Sequence, residues 1–208
     1  MIEGLLAALE HTPVIGVMRG CPFEHSSVIG AAAADAGFAV LEITMDSPRA
    51  SEAIAALAAA LPAVTVGAGT VRSPAEVEEV AAAGARFVVS PVLSLPVLEA
   101  GRRLGVPVVP GAATPSEIWS ALAAGAAAVK VFPARELGGP DYLQAIRAPL
   151  GDPPLIPTGG VDASNLRAYL DAGALAVGLG GSVFPTRSLT AGDATAVHAL
   201  AAEAIRAI

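Results

Sequence analysis

The only lysine of the chain lies in an apolar segment, AAAVKVFPA, where it is Lys130. Burying a lone ammonium group is costly, so a buried lysine either pairs with a carboxylate or loses its proton. The neutral amine can attack a ketone and form a Schiff base, which arginine cannot do because its guanidinium stays protonated. The pattern therefore predicts covalent catalysis by Lys130. The alternatives are a strand-edge lysine that reaches solvent and a simple buried ion pair with Glu42.

A carboxylate interrupts a second apolar segment, AVLEITMDSP, where it is Glu42. Thr44 stands two residues further on and points to the same side of a strand, and Lys130 and Phe132 share a side for the same reason. If both pairs face one interior, Glu42 can shuttle protons for an imine on Lys130. Otherwise Glu42 is a counter-ion that allows the lysine to be buried.

Short β-rich segments alternate with longer alanine-rich segments along the whole chain. Near-continuous apolar segments of this kind are typical of parallel strands covered on both faces. Capping boxes followed by proline begin two of the helices, at Ser73 and Thr114, and we expect Asp162 to cap a third. The eight predicted strands are 13–18, 39–45, 64–70, 86–91, 106–110, 127–132, 155–158 and 174–180.

Eight strand–helix units in 208 residues predict one α/β domain, residues 1–208, folded as a (β/α)8 TIM barrel with parallel strands. The alternative is an open doubly wound sheet, but the segment GVMRGCPF after the first strand lacks the glycine fingerprint of that class. In a barrel the functional residues lie at the carboxyl ends of the strands. We therefore expect the unusual polar residues to cluster there.

Two features at these predicted strand ends indicate anion binding. Glycine-rich segments, TGGVD at 158–162 and GLGGS at 178–182, end the last two strands. In many barrels these loops bind phosphate through backbone N–H groups, and glycine lets the backbone approach the oxyanion. Arg19 follows the first strand, where its guanidinium can hold a carboxylate through two hydrogen bonds. An ordinary surface arginine is the alternative there.

Charge and composition argue against several classes of protein. A net charge of −7, with no basic cluster beyond Arg102 and Arg103, argues against nucleic-acid binding. The longest segment without charged residues, 53–71, is broken by one proline and two glycines, so we expect no membrane span. The sequence shows no signal-peptide pattern, and the single cysteine, Cys21, fits a reducing compartment, so we expect a cytoplasmic protein.

The remaining reactive and aromatic residues indicate no further chemistry. Cys21 has no cysteine partner and the three histidines lack metal-ligand spacing, so we expect no metal site. We expect Trp119, on the helix after Thr114, to pack in the outer layer or at a subunit contact.

Six segments carry a family resemblance: LEITMDSP, VGAGTV, FVVSP, VPVVPGAATPSE, AVKVFPA and PTGGVDASNL. Together, within residues 13–182, they resemble the bacterial 2-keto-3-deoxy-6-phosphogluconate aldolases and their close relatives. The resemblance implies a class I aldolase that uses a lysine Schiff base to cleave a 2-keto-3-deoxy-6-phospho sugar acid into pyruvate and glyceraldehyde 3-phosphate. It also implies a homotrimer that needs no metal and no organic cofactor.

Matched position by position, the resemblance implies roles for individual residues. Lys130 corresponds to the Schiff-base lysine and Glu42 to the general acid and base. Thr70 corresponds to a residue that helps to hold the pyruvate carboxylate. The other matches are the pocket-lining Pro91 and Phe132 and the phosphate-binding turns with Gly159, Gly160, Gly181 and Ser182.

The chain departs from the family pattern where the substrate carboxylate binds. Members specific for phosphogluconate usually carry an arginine four residues after the glutamate, in LEVTLRT, whereas this chain has Asp46, which cannot bind a carboxylate. The galactonate branch also lacks that arginine, resembles this chain in its EIPLNSP segment, and uses an arginine in an LRG motif after the first strand. VMRG supplies Arg19 in that place. Because PTGG resembles the gluconate branch instead, the configuration at C4 of the substrate stays open.

Three other functions also stay open. One is an aldolase for 4-hydroxy-2-oxoglutarate, which has no phosphate. Another is a phosphate-binding barrel enzyme of a different type, such as a synthase that uses a lysine imine. The last is a non-catalytic barrel that binds sugar phosphates.

Overall fold

A computed structural model describes residues 2–208, with side chains from residue 4 onward. Helices and strands alternate in this part of the chain, and each of the eight predicted strand segments contains a strand. The strands are β1 (Val14–Met18), β2 (Val40–Thr44), β3 (Thr65–Gly69), β4 (Val88–Val89), β5 (Val108–Val109), β6 (Gly111–Ala112), β7 (Val129–Val131), β8 (Leu155–Pro157) and β9 (Val177–Leu179).

One helix precedes the first strand, and the others lie between the strands and after the last one. They are α1 (Ile2–His11), α2 (Phe23–Asp35), α3 (Ala50–Ala60), α4 (Pro74–Ala82), α5 (Leu95–Leu104), α6 (Pro115–Ala123), α7 (Gly139–Arg147), α8 (Leu166–Asp171), α9 (Thr186–Ala191) and α10 (Ala194–Arg206), with a short 3-10 helix at Ala148–Leu150. Within residues 2–208, no helix combines the length and the apolar character that a bilayer crossing requires.

Within the described residues the strands form two parallel sheets. The larger has the order β5-β4-β3-β2-β1-β9 and the smaller has the order β6-β7-β8. Backbone hydrogen bonds also run between the sheets, from Ala127 to Val108 at 3.1 Å and from Leu175 to Leu155 at 2.9 Å. An isolated parallel bridge joins Thr158 to Gly178. The result is an α/β structure with a strongly curled arrangement of parallel strands.

The fifth predicted strand ends too early in the sequence analysis, at residue 110. In the structure it continues as β6, because the carbonyl group of Pro110 accepts a hydrogen bond from the backbone N–H of Lys130 at 2.9 Å. Proline has no N–H to donate, so the ladder is interrupted at this residue and resumes immediately after it. The apolar pattern therefore shows the first half of the strand and not the second.

An apolar cluster fills the concave side of the strands. It contains Ile15, Val40, Phe87, Val89, Val109 and Ile156 from the strand region and Leu5 and Leu9 from α1. Both leucines are 1% exposed, and burying a leucine side chain stabilises a fold by about 2 kcal/mol. Helix α1 therefore closes the cluster, while the other helices cover the convex side of the strands.

The local helix signals are confirmed at two of three places. Ser73 and Thr114 both form complete capping boxes, with Glu76 and Glu117 as the partners. The prediction that Asp162 caps a helix is wrong. Its carboxylate accepts a hydrogen bond from the backbone N–H of Ser164 at 2.9 Å, within a turn that delays the start of α8 to Leu166.

Trp119 does not pack in the outer layer of this chain, contrary to one of the two expectations. It is 60% exposed on α6, because the face of this helix that is buried carries Ile118 and Ala121 instead. A subunit contact by Trp119 stays a prediction.

Candidate active site

Lys130 is the central residue of β7 and is only 7% exposed. Its flanking residues Val129 and Val131 belong to an apolar cluster with residues of α6 and α7. Because side chains alternate along a strand, Lys130 points to the opposite, concave side. Its neighbours in the sheet are Gly111 on β6 and Ile156 on β8, so the strand that carries the amine is held on both edges.

Glu42 lies in the middle of β2 and is 2% exposed. Among the described side chains, none forms a hydrogen bond with its Oε1 atom. Gly69 on β3 lies against this carboxylate, and a Cβ atom at position 69 would overlap Oε1. The position of the acid therefore depends on glycine at residue 69.

Lys130 and Glu42 meet in one small cavity of about 10 Å³, which Thr158 also lines. The other lining residues are Ile15, Val17, Val89, Val109, Ile156 and Gly178. A space of this size holds roughly one water molecule. The two side chains therefore share a small, largely apolar chamber.

The electrostatics of this chamber favour the neutral form of the acid. Burial raises the pKa of Glu42 above its ordinary value, although the positive charges of Lys130 and Arg19 act in the opposite direction. A carboxyl group with a raised pKa can give and take protons closer to neutral pH. The geometry thus suits proton transfer beside an amine.

Arg19 lies directly after β1, at the carboxyl end of the strands. Its Nη1 donates to Oδ2 of Asp46 at 2.5 Å, and its Nη2 donates to Oγ1 of Thr70 at 3.2 Å. Thr70 has φ = 59°, in the left-handed region where β-branched residues are strained. The structure therefore brings the two predicted carboxylate-binding residues into contact, and it pairs Arg19 with Asp46, which the sequence analysis placed at this end of the site without a contact to Arg19.

The surroundings of Asp46 favour its ionised form. Burial alone would raise its pKa, but the hydrogen bond with Thr44 and the charge of Arg19 lower the pKa below its ordinary value. Nearby, the backbone N–H of Gly20 donates to Oγ of Ser47 at 2.9 Å. The loops after β1, β2 and β3 are thus tied together by polar contacts.

The predicted phosphate turns lie on the other side of the same strand ends. Gly159 and Gly160 follow β8 with φ angles of 94° and 71°. Oγ of Ser182 donates to the carbonyl oxygen of Val161 at 3.0 Å, and this bond joins the loop after β9, with the exposed Gly181, to the loop after β8. The structure therefore brings the two glycine-rich segments together.

Phe132 and Pro91 differ in how near they are to the amine. The ring of Phe132 lies against Gly159, and its centroid is 5.3 Å from Nζ of Lys130. Pro91, after β4, contacts Gly111 through its backbone carbonyl group and is outside the set of residues that line the cavity. Phe132 can therefore contact a ligand bound to the lysine, whereas Pro91 follows β4, which the β5–β6 strand separates from β7.

The sequence analysis missed one polar residue of this site, Thr158, and the contact that another, Asp46, makes. Thr158, 8% exposed, lines the cavity beside Lys130 and Glu42. The prediction for its segment, TGGVD, uses only the glycines. A hydroxyl group at a buried strand end also indicates a candidate site residue. Asp46 was considered only as a residue unable to bind a carboxylate, and nothing in the local pattern connects it with Arg19.

Comparison with known proteins gives the family. The model of an aldolase family described as KDPG and KHG aldolase matches residues 5–200. A 2-dehydro-3-deoxy-phosphogluconate aldolase of Dickeya dadantii (strain 3937) is 38% identical over 203 residues, which cover 98% of this chain and 94% of the relative. A 2-dehydro-3-deoxy-6-phosphogalactonate aldolase of Escherichia coli (strain K12) is 36% identical over 174 residues, 83% of this chain and 84% of the relative.

A solved structure agrees with these matches. The KDPG aldolase of Legionella pneumophila, with pyruvate captured at low pH as a covalent carbinolamine intermediate, superposes with a TM-score of 0.87 at 32% identity and covers 96% of both chains. Sequence and structure therefore agree over nearly the whole length. The chain belongs to the KDPG and KHG aldolase family.

Proposed function

We propose that this chain is a class I aldolase that cleaves a 2-keto-3-deoxy-6-phospho sugar acid into pyruvate and glyceraldehyde 3-phosphate. The observation that carries the proposal is the cavity shared by Lys130 and Glu42, where an amine lies beside a carboxyl group whose Oε1 lacks a hydrogen-bond partner among the described side chains. The covalent carbinolamine of the Legionella relative supports the same route.

In the proposed reaction, the unprotonated Nζ of Lys130 attacks the C2 ketone and forms a carbinolamine. Glu42, directly or through one water molecule, supplies and removes the protons as water leaves and an iminium ion forms. The iminium takes up the electron pair of the C3–C4 bond while the C4 hydroxyl loses its proton, so the aldehyde departs and an enamine remains. Protonation of the enamine at C3 and hydrolysis then release pyruvate and restore the amine.

Binding of the two anionic ends orients the reacting bond. Arg19 and Thr70 hold the carboxylate, while Phe132 and, further from the amine, Pro91 line the wider substrate pocket outside the small cavity. The phosphate binds at the turns with Gly159, Gly160, Gly181 and Ser182. Binding energy from the phosphate, remote from C2, then aligns the C3–C4 bond with the iminium.

We also propose the complete architecture that the sequence predicts: one domain, residues 1–208, whose strands close into a (β/α)8 barrel. The hydrogen bonds between Ala127 and Val108 and between Leu175 and Leu155 support closure, since they join both pairs of sheet edges. A cytoplasmic homotrimer is part of the same proposal. The single cysteine supports the location, and the exposed Trp119 offers an apolar side chain for the subunit contact.

Borohydride trapping tests the function directly. Incubation with pyruvate and borohydride should fix pyruvate to Lys130, and peptide mass mapping should find it there, since no other lysine side chain competes. Lys130→Arg should keep the fold and abolish both trapping and cleavage. Appreciable aldol cleavage by that variant, or catalysis by the wild type without a trapped adduct, would overturn the assignment.

A second candidate substrate is 4-hydroxy-2-oxoglutarate, because the matched family includes KHG aldolases. The same imine chemistry applies to it, but the phosphate turns would make no contact with it. Turnover of this substrate and of both C4 epimers of the phosphorylated acid, compared as kcat/KM, decides which substrate the site prefers.

A further inference from the structure

Arg135 lies across one of the glycine turns that follow the strands. It stands in the loop after β7, where its backbone N–H donates to the carbonyl oxygen of Gly159 at 3.1 Å. The side-chain carbons Cβ, Cγ and Cδ occupy the space in which a Cβ atom of residue 160 would lie. Gly160 therefore serves two purposes: it adopts φ = 71° and it leaves room for the stem of this arginine.

Most arginines of the chain already have an acidic partner. Among the side chains of residues 4–208, ion pairs engage Arg19, Arg49, Arg72, Arg102, Arg103, Arg147 and Arg167. Arg135 takes part in none of these pairs, in a chain whose net charge is −7. The nearby carboxylate of Asp162 accepts instead from the N–H and Oγ of Ser164.

Some other arginines also lack a pair among the described side chains, but none of them packs against Gly159, Gly160 or Gly181. Arg86 precedes β4 at the amino end of the strands, and Arg187 and Arg206 stand on α9 and α10. Arg135 differs because its stem is held against a turn whose backbone is exposed and glycine-rich. A stem held in this way loses less rotamer entropy when the head group binds a ligand.

We propose that Arg135 binds the phosphate of the substrate and is a determinant of the preference for phosphorylated substrates. This inference rests on the function proposed above. The guanidinium presents a planar fork of N–H donors that matches a phosphate group. It adds a charged side-chain donor to the uncharged backbone donors of the two turns.

The test compares phosphorylated and unphosphorylated substrates of the same carbon skeleton. In Arg135→Ala, the ratio of kcat/KM for 2-keto-3-deoxy-6-phosphogluconate over 2-keto-3-deoxygluconate should fall about tenfold, as expected when a charge-assisted hydrogen bond is lost. The inhibition constant of inorganic phosphate should rise by a similar factor. Arg135→Lys should restore part of both effects, because it keeps the charge and loses the fork.

Arg86→Ala is the matched control, since it removes an exposed arginine at the opposite end of the strands, and it should leave the substrate ratio unchanged. If wild-type protein traps pyruvate on Lys130 but Arg135→Ala keeps the wild-type ratio and the wild-type phosphate inhibition, the assignment of Arg135 is overturned while the aldolase function stands. If the wild type traps no pyruvate, the aldolase function itself fails.

Discussion

The two anion-binding ends of the proposed site use opposite arrangements of charge. At the carboxylate end, the guanidinium of Arg19 is engaged by Asp46 and Thr70. At the phosphate end, backbone N–H groups of glycine turns are joined by Arg135, which has no ion pair among the described side chains. A paired arginine has a fixed orientation and a partly neutralised charge, whereas an unpaired one keeps its full charge for the ligand.

This difference indicates that the carboxylate end orients the substrate and the phosphate end attracts it. The carboxylate lies near the reacting carbon, so its binding must be geometrically exact, and the neighbouring hydrogen bonds help to fix Arg19. The phosphate lies far from that carbon, so attraction matters more than exact direction. Variants of the shared chamber and of each end test whether the two ends act separately.

Glu42→Gln should have the largest effect and should not distinguish the two ends. The amide cannot transfer protons, so kcat should fall about 10³-fold for phosphorylated and unphosphorylated substrates alike. Steady-state kinetics with both substrates measure this loss. The control is Glu52→Gln, an exposed acid on α3, and a loss confined to one substrate class would contradict the central role of Glu42.

The same substitution should stabilise the protein at neutral pH. Because burial raises the pKa of Glu42, the folded state keeps a proton that the unfolded state releases above its ordinary value of 4.5. Wild-type stability should therefore decline as pH rises from that value through the raised pKa, and the Gln variant should lack this part of the decline. Urea unfolding at pH 5 and pH 7.5 measures it; equal pH dependence in both proteins would contradict the raised pKa.

Arg19→Ala tests the carboxylate end. Loss of a charge-assisted pair should reduce kcat/KM by about 100-fold, or about 2.7 kcal/mol, for both substrate classes. Every substrate carries the carboxylate, so the ratio between the classes should stay constant, unlike the result for Arg135→Ala. Arg103→Ala, which removes an exposed arginine paired with Glu78, is the control. A change of the ratio in Arg19→Ala would show that the two ends do not act separately.

Gly160→Ala tests how the phosphate end is built. An alanine with positive φ costs about 1 kcal/mol, and here its Cβ would also collide with Arg135, so we expect a loss of about 2 kcal/mol in the free energy of unfolding. Gly125→Ala is the matched control, because Gly125 has φ = 88° and open space around it. Equal losses in the two variants would mean that the stem of Arg135 moves aside freely.

Asp46→Asn should have the smallest effect. It removes the negative charge beside Arg19 but keeps a hydrogen-bond acceptor, so KM for the keto acid should fall about threefold at low salt while kcat stays within about twofold. Kinetics at two ionic strengths check this expectation. An increase in KM would mean that the charge of Asp46 is needed to orient Arg19.

The local parts of this fold were predictable from the sequence. The first predicted strand, 13–18, corresponds to β1 (Val14–Met18), because a strand covered on both faces is a continuous apolar segment. The capping boxes at Ser73 and Thr114 depend on residues three apart and form as predicted. The burial of Lys130 followed from the strand period combined with its apolar neighbours.

Contacts between distant segments were not predictable in this way. Arg19 and Asp46 are 27 residues apart, and their pairing depends on how the loops after β1 and β2 meet. Thr158 and Arg135 acquire their surroundings only when the loop after β8 lies beside β7. The role of Asp162 was misjudged because a turn and a helix cap use the same side-chain acceptor.

The close packing of Gly69 against Glu42 limits the substitutions that this enzyme can accept at position 69. The carboxylate of Glu42 occupies the volume that any larger residue at position 69 would need. A library that randomises this position and is selected for turnover should return glycine almost exclusively, while Gly4, exposed on α1 with open space around it, should accept many replacements. Although its side chain takes part in no reaction, Gly69 therefore restricts both the natural variation and the engineering of this strand.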